Sequence, residues 1–190
     1  MKEEYFGKKT VLKVLNTDYS EKILRFYEEN QDFFPRWEVE WPANFLTKEY
    51  QYTLVEREYL MFKNGTFVRF FLFSPNDTGF ENIIGTVSLN RIRGGYYQSG
   101  ELGYKIHKDY LRRGYAKDGI LSCLSFAFNE MSLHRICCYI SSKNHPSLSL
   151  IKHLPFQIEG ICRSYVLLHG NWEDHYLFSC LNDGSILRYQ

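Results

Sequence analysis

The segment Asp109–Gly119, which reads D-Y-L-R-R-G-Y-A-K-D-G, has two arginines and a glycine where a helix is predicted to begin. A helix N-terminus carries unpaired N–H groups and about half a positive charge, so Arg112 and Arg113 are electrostatically unfavourable there. No Ser, Thr, Asp or Asn stands directly before Gly114 to cap the helix. A bound polyanion would resolve this conflict, because the backbone N–H groups of the turn would hold phosphate oxygens and the arginines would add positive charge.

The alternative interpretation of this turn needs no ligand. Arg112 and Arg113 are then solvated loop residues and Gly114 only makes a turn, since short glycine-containing motifs also match by accident. Two standard phosphate loops are excluded: no G-K-S or G-K-T follows, and G-x-G-x-x-G is absent. The turn alone therefore indicates an anion site without identifying its ligand.

The elements that would position this turn follow from the apolar periodicity of the chain. The predicted strands are Lys8–Asn16, Thr66–Ser74, Asn82–Arg91, Glu101–His107, His134–Ser142, Ile158–Leu168 and Trp172–Leu181. The predicted helices are Asp18–Asn30, Thr47–Lys63, Ala116–Met131 and Asn144–His153. Thr47 is expected to cap the second helix, and Asp18 with Glu21 to form a capping pair on the first. This order favours an α/β fold in which helices cover both faces of a mixed sheet.

The composition suits one globular domain spanning residues 1–190, since 44% of the chain is apolar and 17% aromatic. A net charge of +1 argues against a nucleic-acid or membrane-surface role. No apolar run is long enough to span a membrane, and the start lacks the apolar core of a signal peptide, so a cytoplasmic location is expected. The five cysteines include no C-x-x-C pair, so we expect neither a metal site nor a disulfide framework.

The turn resembles the acetyl-CoA pyrophosphate loop of the GNAT N-acetyltransferases, whose pattern is Q/R-x-x-G-x-G/A. In this chain the pattern falls on Leu111–Ala116, L-R-R-G-Y-A. The glycine and the final alanine match, whereas Leu111 replaces the opening Gln or Arg. One of the neighbouring arginines is expected to substitute for that opening residue.

Motifs before and after the loop resemble the ribosomal-protein N-acetyltransferase branch of that family, the RimJ/RimL-like proteins. They are Glu101–Tyr104 (E-L-G-Y), Leu133–Ile136 (L-H-R-I), Asn144–Ser147 (N-H-P-S), Leu154–Gly160 (L-P-F-Q-I-E-G) and Gly170–Asp174 (G-N-W-E-D). Pro155 replaces a glycine that the branch often has. The ordered set spans roughly residues 80 to 182 and is more specific than any one of its motifs.

The resemblance implies the GNAT fold, a mostly antiparallel twisted sheet that is splayed between the fourth and fifth predicted strands. It also implies acetyl-CoA as the cofactor. Its pyrophosphate would bind Leu111, Arg112, Arg113, Gly114, Tyr115, Ala116 and Lys117. Its pantetheine arm would lie along the strand at Ile106 and His107 like an added strand, and would contact the side chain of Asn144.

Two residues are candidates for the chemistry that the resemblance implies. Glu101 would accept the proton of the amine, directly or through a water, and Ser147 would donate to the leaving thiolate. Many GNAT proteins use a tyrosine further along the Ser147 helix, where this chain has Ile151. The alternatives are that Glu101 is an exposed edge carboxylate, that Ser147 is an ordinary helix residue and that Asn144 is only a helix cap.

The implied activity is transfer of an acetyl group to a primary amine, with the α-amine of a protein N-terminus as the expected acceptor. An α-amine has a pKa of about 7.7–8.0 and a lysine about 10.4, so a lysine acceptor demands about 3.4 kcal/mol more work. Because every candidate base is ambiguous, the sequence favours the α-amine.

Other functions stay open at this point. A small amine such as a polyamine, amino acid or antibiotic could enter an aromatic, acidic slot, unless those tryptophans are ordinary core residues. The slot would consist of Trp37, Trp41 and Glu38 or Glu40 within the irregular segment Phe33–Phe45. The chain could instead be a catalytically silent CoA-binding regulator, while a nucleic-acid module is disfavoured by its charge. Either a monomer or a homodimer is compatible with the sequence. Glu159, Trp172 and Asp174 are expected to stabilise the last hairpin or to shape the acceptor cleft.

Overall fold

A computed structural model describes residues 1–183, which form one open eight-stranded sheet with four α-helices. The strands are β1 Glu4–Phe6, β2 Val11–Lys13, β3 Val68–Phe73, β4 Gly85–Arg93, β5 Ser99–Ile106, β6 Arg135–Ser141, β7 Gln157–Leu168 and β8 Asn171–Leu181. The helices are α1 Ser20–Glu29, α2 Lys48–Lys63, α3 Tyr115–Asn129 and α4 His145–Ile151. Across the sheet the order is β1-β2-β3-β4-β5-β6-β8-β7. Within residues 1–183, no helix combines the length and apolarity that crossing a bilayer requires.

Every predicted helix and strand is present in the predicted order, but the N-terminal region differs in detail. The predicted strand Lys8–Asn16 was too long, because Gly7 N–H donates to Thr10 O at 2.8 Å and closes a turn before β2. The additional strand β1 was missed, since three residues are too few to show a period. β1 pairs antiparallel with β2 and forms the edge of the sheet.

The predicted capping pair of Asp18 with Glu21 was wrong. A 3₁₀ turn, Thr17–Tyr19, precedes α1, and the side chain of Asn16 caps it by accepting from Asp18 N–H at 3.1 Å. Glu21 instead forms an ion pair with Lys48 at the start of α2. The predicted cap of α2 is confirmed, because Thr47 Oγ1 accepts from the N–H of Tyr50 at 3.3 Å.

The predicted splay lies between β5 and β6, the fourth and fifth of the strands predicted from the sequence. These two strands are parallel, whereas all other neighbours in the sheet are antiparallel. They pair at three positions, Ser99↔Arg135, Gly100↔Ile136 and Glu101↔Cys137. Beyond Glu101, β5 continues to pair with β4 as far as Ile106, but it has no partner strand on its β6 side within residues 1–183. The sheet therefore opens into a gap.

Helices cover both faces of the sheet, as predicted, because side chains of β3 alternate between two cores. Phe70 and Leu72 belong to the core that contains α3, and Phe71 and Phe73 to the core that contains α1. Gly119 allows α3 to approach the first face closely: a Cβ at this position would lie 2.8 Å from Cδ1 of Leu72. This close packing fixes the N-terminus of α3 beside the open half of the sheet.

Candidate active site

The N-terminus of α3 has no side-chain cap. Gly114 occupies the N-cap position with φ +84° and ψ 1°, a left-handed conformation that side chains disfavour. Its carbonyl accepts from Asp118 N–H at 3.1 Å, which closes the first turn. Among residues 1–183, none accepts a hydrogen bond from the backbone N–H groups of Tyr115, Ala116 or Lys117. These amides can bind an anion, as the sequence predicts.

Three cations surround this helix tip. Arg112 and Arg113 are exposed, and the Arg113 guanidinium lies 5.4 Å from the centre of the Tyr110 ring. The third cation, Lys9, was missed by the sequence analysis. Its Nζ donates to the carbonyl of Arg113 at 3.3 Å and would lie 3.4 Å from a Cβ at Gly114. Lys9 is 104 residues away in sequence, and no local pattern predicts this contact.

Asp118, in the first turn of α3, holds the segment that carries Lys9. Its carboxylate accepts from the backbone N–H groups of Lys8, Lys9 and Thr10 at 3.0, 3.0 and 2.9 Å, and from the Thr10 hydroxyl at 2.7 Å. A negative charge in the first turn is also favourable to the helix dipole. Asp118 belongs to the segment Asp109–Gly119, but its partners are more than 100 residues away in sequence, and no local pattern predicts them.

We expect the substitution Asp118→Asn to lower the free energy of unfolding by about 2–3 kcal/mol. An amide offers one acceptor oxygen and turns its NH₂ group toward N–H donors, so bonds to a charged acceptor are lost. Chemical denaturation of the purified variant measures the effect. Asp32→Asn, at an exposed aspartate, is the control and should change stability by less than about 0.5 kcal/mol. Equal stability of Asp118→Asn and the wild type would contradict the role given to Asp118.

Glu101, the candidate base, lies at the last residue pair before β5 and β6 separate. Its side chain is 21% exposed, and its Oε2 lies 3.3 Å from Nη1 of Arg91. Glu101 and the nearby Tyr165 raise the pKa of Arg91, so the guanidinium stays charged beside the Glu101 carboxyl group. A carboxyl group at the mouth of the gap is of the type that serves as a general base.

Asn144 and Ser147 lie at the start of α4. Asn144 is the helix N-cap, and its Oδ1 accepts from the backbone N–H of Ser147 at 3.1 Å. Asn144 therefore caps the helix, as one of the two alternatives predicts. Its side-chain NH₂ group can still donate to another acceptor. The Ser147 residue is half-buried, and its hydroxyl is not needed for the cap.

His107 and Ile106, which the resemblance assigns to the pantetheine path, are both buried at the end of β5. The Nδ1 atom of His107 accepts from Asp109 N–H at 3.2 Å, so the ring proton is on Nε2, which donates to Glu29 at 3.0 Å. The His107 N–H donates to the carbonyl of Ile84 at 2.9 Å. These protein partners fix the turn that leads into the Arg112–Arg113 loop.

The downstream motif residues hold the C-terminal strands together. Glu159 forms an ion pair with Arg135 of β6 and accepts from the Ser179 hydroxyl at 2.5 Å. Asp174 accepts from the N–H of Ser164 at 2.8 Å, where β7 has an irregular register. Trp172 is exposed. Glu159 and Asp174 thus have the hairpin contacts that were expected of them.

A sheet that opens between two parallel central strands, beside an uncapped helix, defines the class of N-acetyltransferases with the GNAT fold. The family model described as "Acetyltransferase (GNAT) domain" matches residues 13–157, and the chain belongs to this family. Over 176 residues the chain is 29% identical to a probable N-acetyltransferase, YjcK, of Bacillus subtilis, with 93% of this chain and 96% of the relative covered. It is 27% identical over 158 residues to the ribosomal protein uS5-alanine N-acetyltransferase of Escherichia coli, covering 82% and 79% of the two chains.

Solved structures share the fold over nearly the whole chain. The ribosomal-protein-S5-alanine acetyltransferase of Vibrio fischeri is similar with a TM-score of 0.88 at 24% identity, covering 95% of this chain and 97% of that one. Mycobacterium smegmatis RimJ, solved in complex with CoA-disulfide, has a TM-score of 0.85 at 18% identity, covering 93% and 83%. These similarities confirm the fold class and the RimJ/RimL resemblance. The chain is an acetyltransferase, and acetyl-CoA is the cofactor of its family.

Proposed function

We propose that this chain transfers the acetyl group of acetyl-CoA to the α-amine of a protein N-terminus, and that residues 1–190 form a single acetyltransferase domain. A relative named as a ribosomal protein uS5-alanine N-acetyltransferase supports a protein acceptor. The structural observation that carries the proposal is that Glu38 is already paired with Lys105, because this pairing disfavours a polyamine as the acceptor.

Glu38 belongs to the aromatic, acidic slot that would suit a polyamine, and the chain fills that slot itself. One carboxylate oxygen of Glu38 lies 2.5 Å from Nζ of Lys105, and the other accepts from Trp41 Nε1 at 3.1 Å. The same Lys105 ammonium lies 5.3 Å from the centres of the Tyr27 and Phe34 rings. A second cation would have to displace this lysine, and the other candidate carboxylate, Glu40, is exposed to water, where ion pairs are weak.

The residues of the α3 tip fit the cofactor of the family. The free N–H groups of Tyr115, Ala116 and Lys117, together with Arg112 and Arg113, offer the donors and charge that a diphosphate requires. The left-handed Gly114 leaves the approach to these amides open, and Leu111 flanks it as an exposed residue. The unpaired edge of β5 offers backbone groups to an extended amide-containing arm, with Ile106 and His107 at its end.

When bound, acetyl-CoA supplies a thioester carbon that a neutral amine attacks. Glu101, which is paired with Arg91, accepts the proton that the amine loses, directly or through a water. The hydroxyl of Ser147 donates toward the sulfur side of the gap, and the side-chain NH₂ of Asn144 holds the arm that leads to it. The position of Glu101 at the opening between β5 and β6, and that of Ser147 near Tyr104 of β5, support these proposed roles.

Release of free thiol from acetyl-CoA with a panel of amines tests the proposal. The panel contains peptides beginning with Ala or Ser that each include one internal lysine, the same peptides blocked at the N-terminus, and spermidine. We expect thiol release with the free peptides, its loss on blocking, and background rates with spermidine. Faster reaction with spermidine would establish the small-amine alternative. CoA binding without turnover of any amine would establish a silent regulator.

A further inference from the structure

Tyr104 lies on the part of β5 that has no β6 partner, and its side chain is on the face opposite Glu101. It packs against the core that contains α3 and α4, alongside Leu102 and Ile106 of the same strand. Its hydroxyl oxygen is buried and has no hydrogen-bond partner among the described residues. A buried hydroxyl without a partner is unfavourable, so a native structure that retains one calls for an explanation.

The neighbours of this hydroxyl are on the other side of the gap. The hydroxyl of Ser147 is close enough to act on the pKa of Tyr104, which it lowers against the larger effect of burial, although the two groups lack the full geometry of a hydrogen bond. Cys138 of β6 also acts on the phenol electrostatically. Strand β5, strand β6 and helix α4 thus each contribute one side chain here, and the Tyr104 hydroxyl is the one that is buried without a partner among residues 1–183.

The electrostatics of the gap determine what Tyr104 can do there. Burial raises the pKa of Tyr104 far above its ordinary value, and Cys138 adds to the effect. The phenol therefore stays neutral at physiological pH and donates a hydrogen bond without releasing its proton. Donors that are already oriented in a site with little water stabilise charge that develops during a reaction.

We propose that Tyr104 is a second hydrogen-bond donor, beside Ser147, to the sulfur of the bound thioester. This inference rests on the proposed function. In the transfer, a bond forms between the amine nitrogen and the thioester carbon while the carbon–sulfur bond breaks, and sulfur keeps the electron pair. The amine proton passes to Glu101, sulfur is protonated through Ser147 and water, and Tyr104 keeps its own proton throughout. Many GNAT proteins use a tyrosine further along the Ser147 helix, at the position where this chain has Ile151. Tyr104 thus takes over part of the role of that tyrosine.

The substitution Tyr104→Phe tests this inference through the ionisation of CoA itself. The pKa of the bound CoA thiol is measured from the ultraviolet absorbance of the thiolate during a pH titration, without any acetyl donor. A hydrogen bond to an anion stabilises it, so Tyr104→Phe should raise that pKa by about 1 unit. With acetyl-CoA and an acceptor peptide, kcat should fall at least about tenfold, while the affinity for CoA stays at the wild-type value.

Tyr5→Phe is the matched control, because the hydroxyl of Tyr5 is also buried without a hydrogen-bond partner among residues 1–183, while its ring packs against Phe70 and Phe126. It should change neither the thiol pKa nor kcat. Thermal melting of apo Tyr104→Phe should match or exceed that of the wild type, since no hydrogen bond is lost. An unchanged thiol pKa in Tyr104→Phe that still binds CoA overturns the inference and leaves the proposed function intact. Absence of CoA binding to the wild-type protein overturns both.

Discussion

Replacement of Gly114 by valine is expected to lower the affinity for CoA by at least about tenfold, which equals about 1.4 kcal/mol. Gly114 has φ +84°, and a β-branched residue in that conformation costs about 1–3 kcal/mol. The turn relieves this strain by relaxing, which redirects the free N–H groups of Tyr115, Ala116 and Lys117. The added side chain also lies close to Lys9 Nζ, at the approach to the helix tip. Titration calorimetry with CoA measures the loss.

Gly65→Val separates this effect from a general loss of stability. Gly65 has φ +69° at the end of α2, and a Cβ there would meet nothing within 4 Å. The variant carries the same backbone penalty far from the helix tip, so its melting temperature should fall while its affinity for CoA is retained. If Gly114→Val binds CoA as tightly as the wild type, the helix tip is not the diphosphate site.

The substitution Glu101→Gln is expected to reduce kcat about 100-fold with a peptide acceptor while the affinity for CoA stays unchanged. Glutamine keeps the shape of the side chain beside Arg91 but cannot accept the proton of an ammonium group. The deficit should narrow as the pH rises toward the pKa of the α-amine, because a neutral amine no longer needs a base. Steady-state rates measured across this pH range give both results.

Glu159→Gln is the matched control for Glu101→Gln. Glu159 is also paired with an arginine, Arg135, but it lies on β7 and binds the hydroxyl of Ser179. Its replacement should lower stability and leave kcat near the wild-type value. If the two variants have the same kcat at neutral pH, Glu101 is only an ion-pair partner of Arg91, and the base lies elsewhere.

The fold was largely predictable because its signals are local. Thr47 marks the start of α2 as a side-chain cap, and alternating apolar residues such as Phe70 and Phe71 define β3 with its two buried faces. The opening between β5 and β6 came from the family resemblance, since nothing in either strand alone determines how far two neighbours stay paired. β1 was missed because its three residues form a strand only through their pairing with β2.

The candidate site was less predictable, because its contacts join residues that are distant in sequence. Asp118 binds the backbone of residues that precede it by more than 100 positions, and His107 donates to Glu29, 78 residues earlier. The expected cation slot around Glu38 is a further example of a contact between distant residues that the sequence does not predict. The acidic and aromatic residues were identified, but their pairing with Lys105 depends on how β5 packs against the aromatic segment.

The short pairing of β5 with β6 has a mechanical consequence. Within residues 1–183, the five strands β1 to β5 and the three strands β6 to β8 are joined in the sheet only by the three residue pairs between β5 and β6. The two parts of the sheet are also joined by the apolar core that they share and by hydrogen bonds outside the ladder, such as that from His134 N–H to Gln98 O at 2.7 Å. The gap is therefore a place where few backbone hydrogen bonds join the two parts of the sheet, and an extended ligand that bonds to the free edge of β5 would add to them.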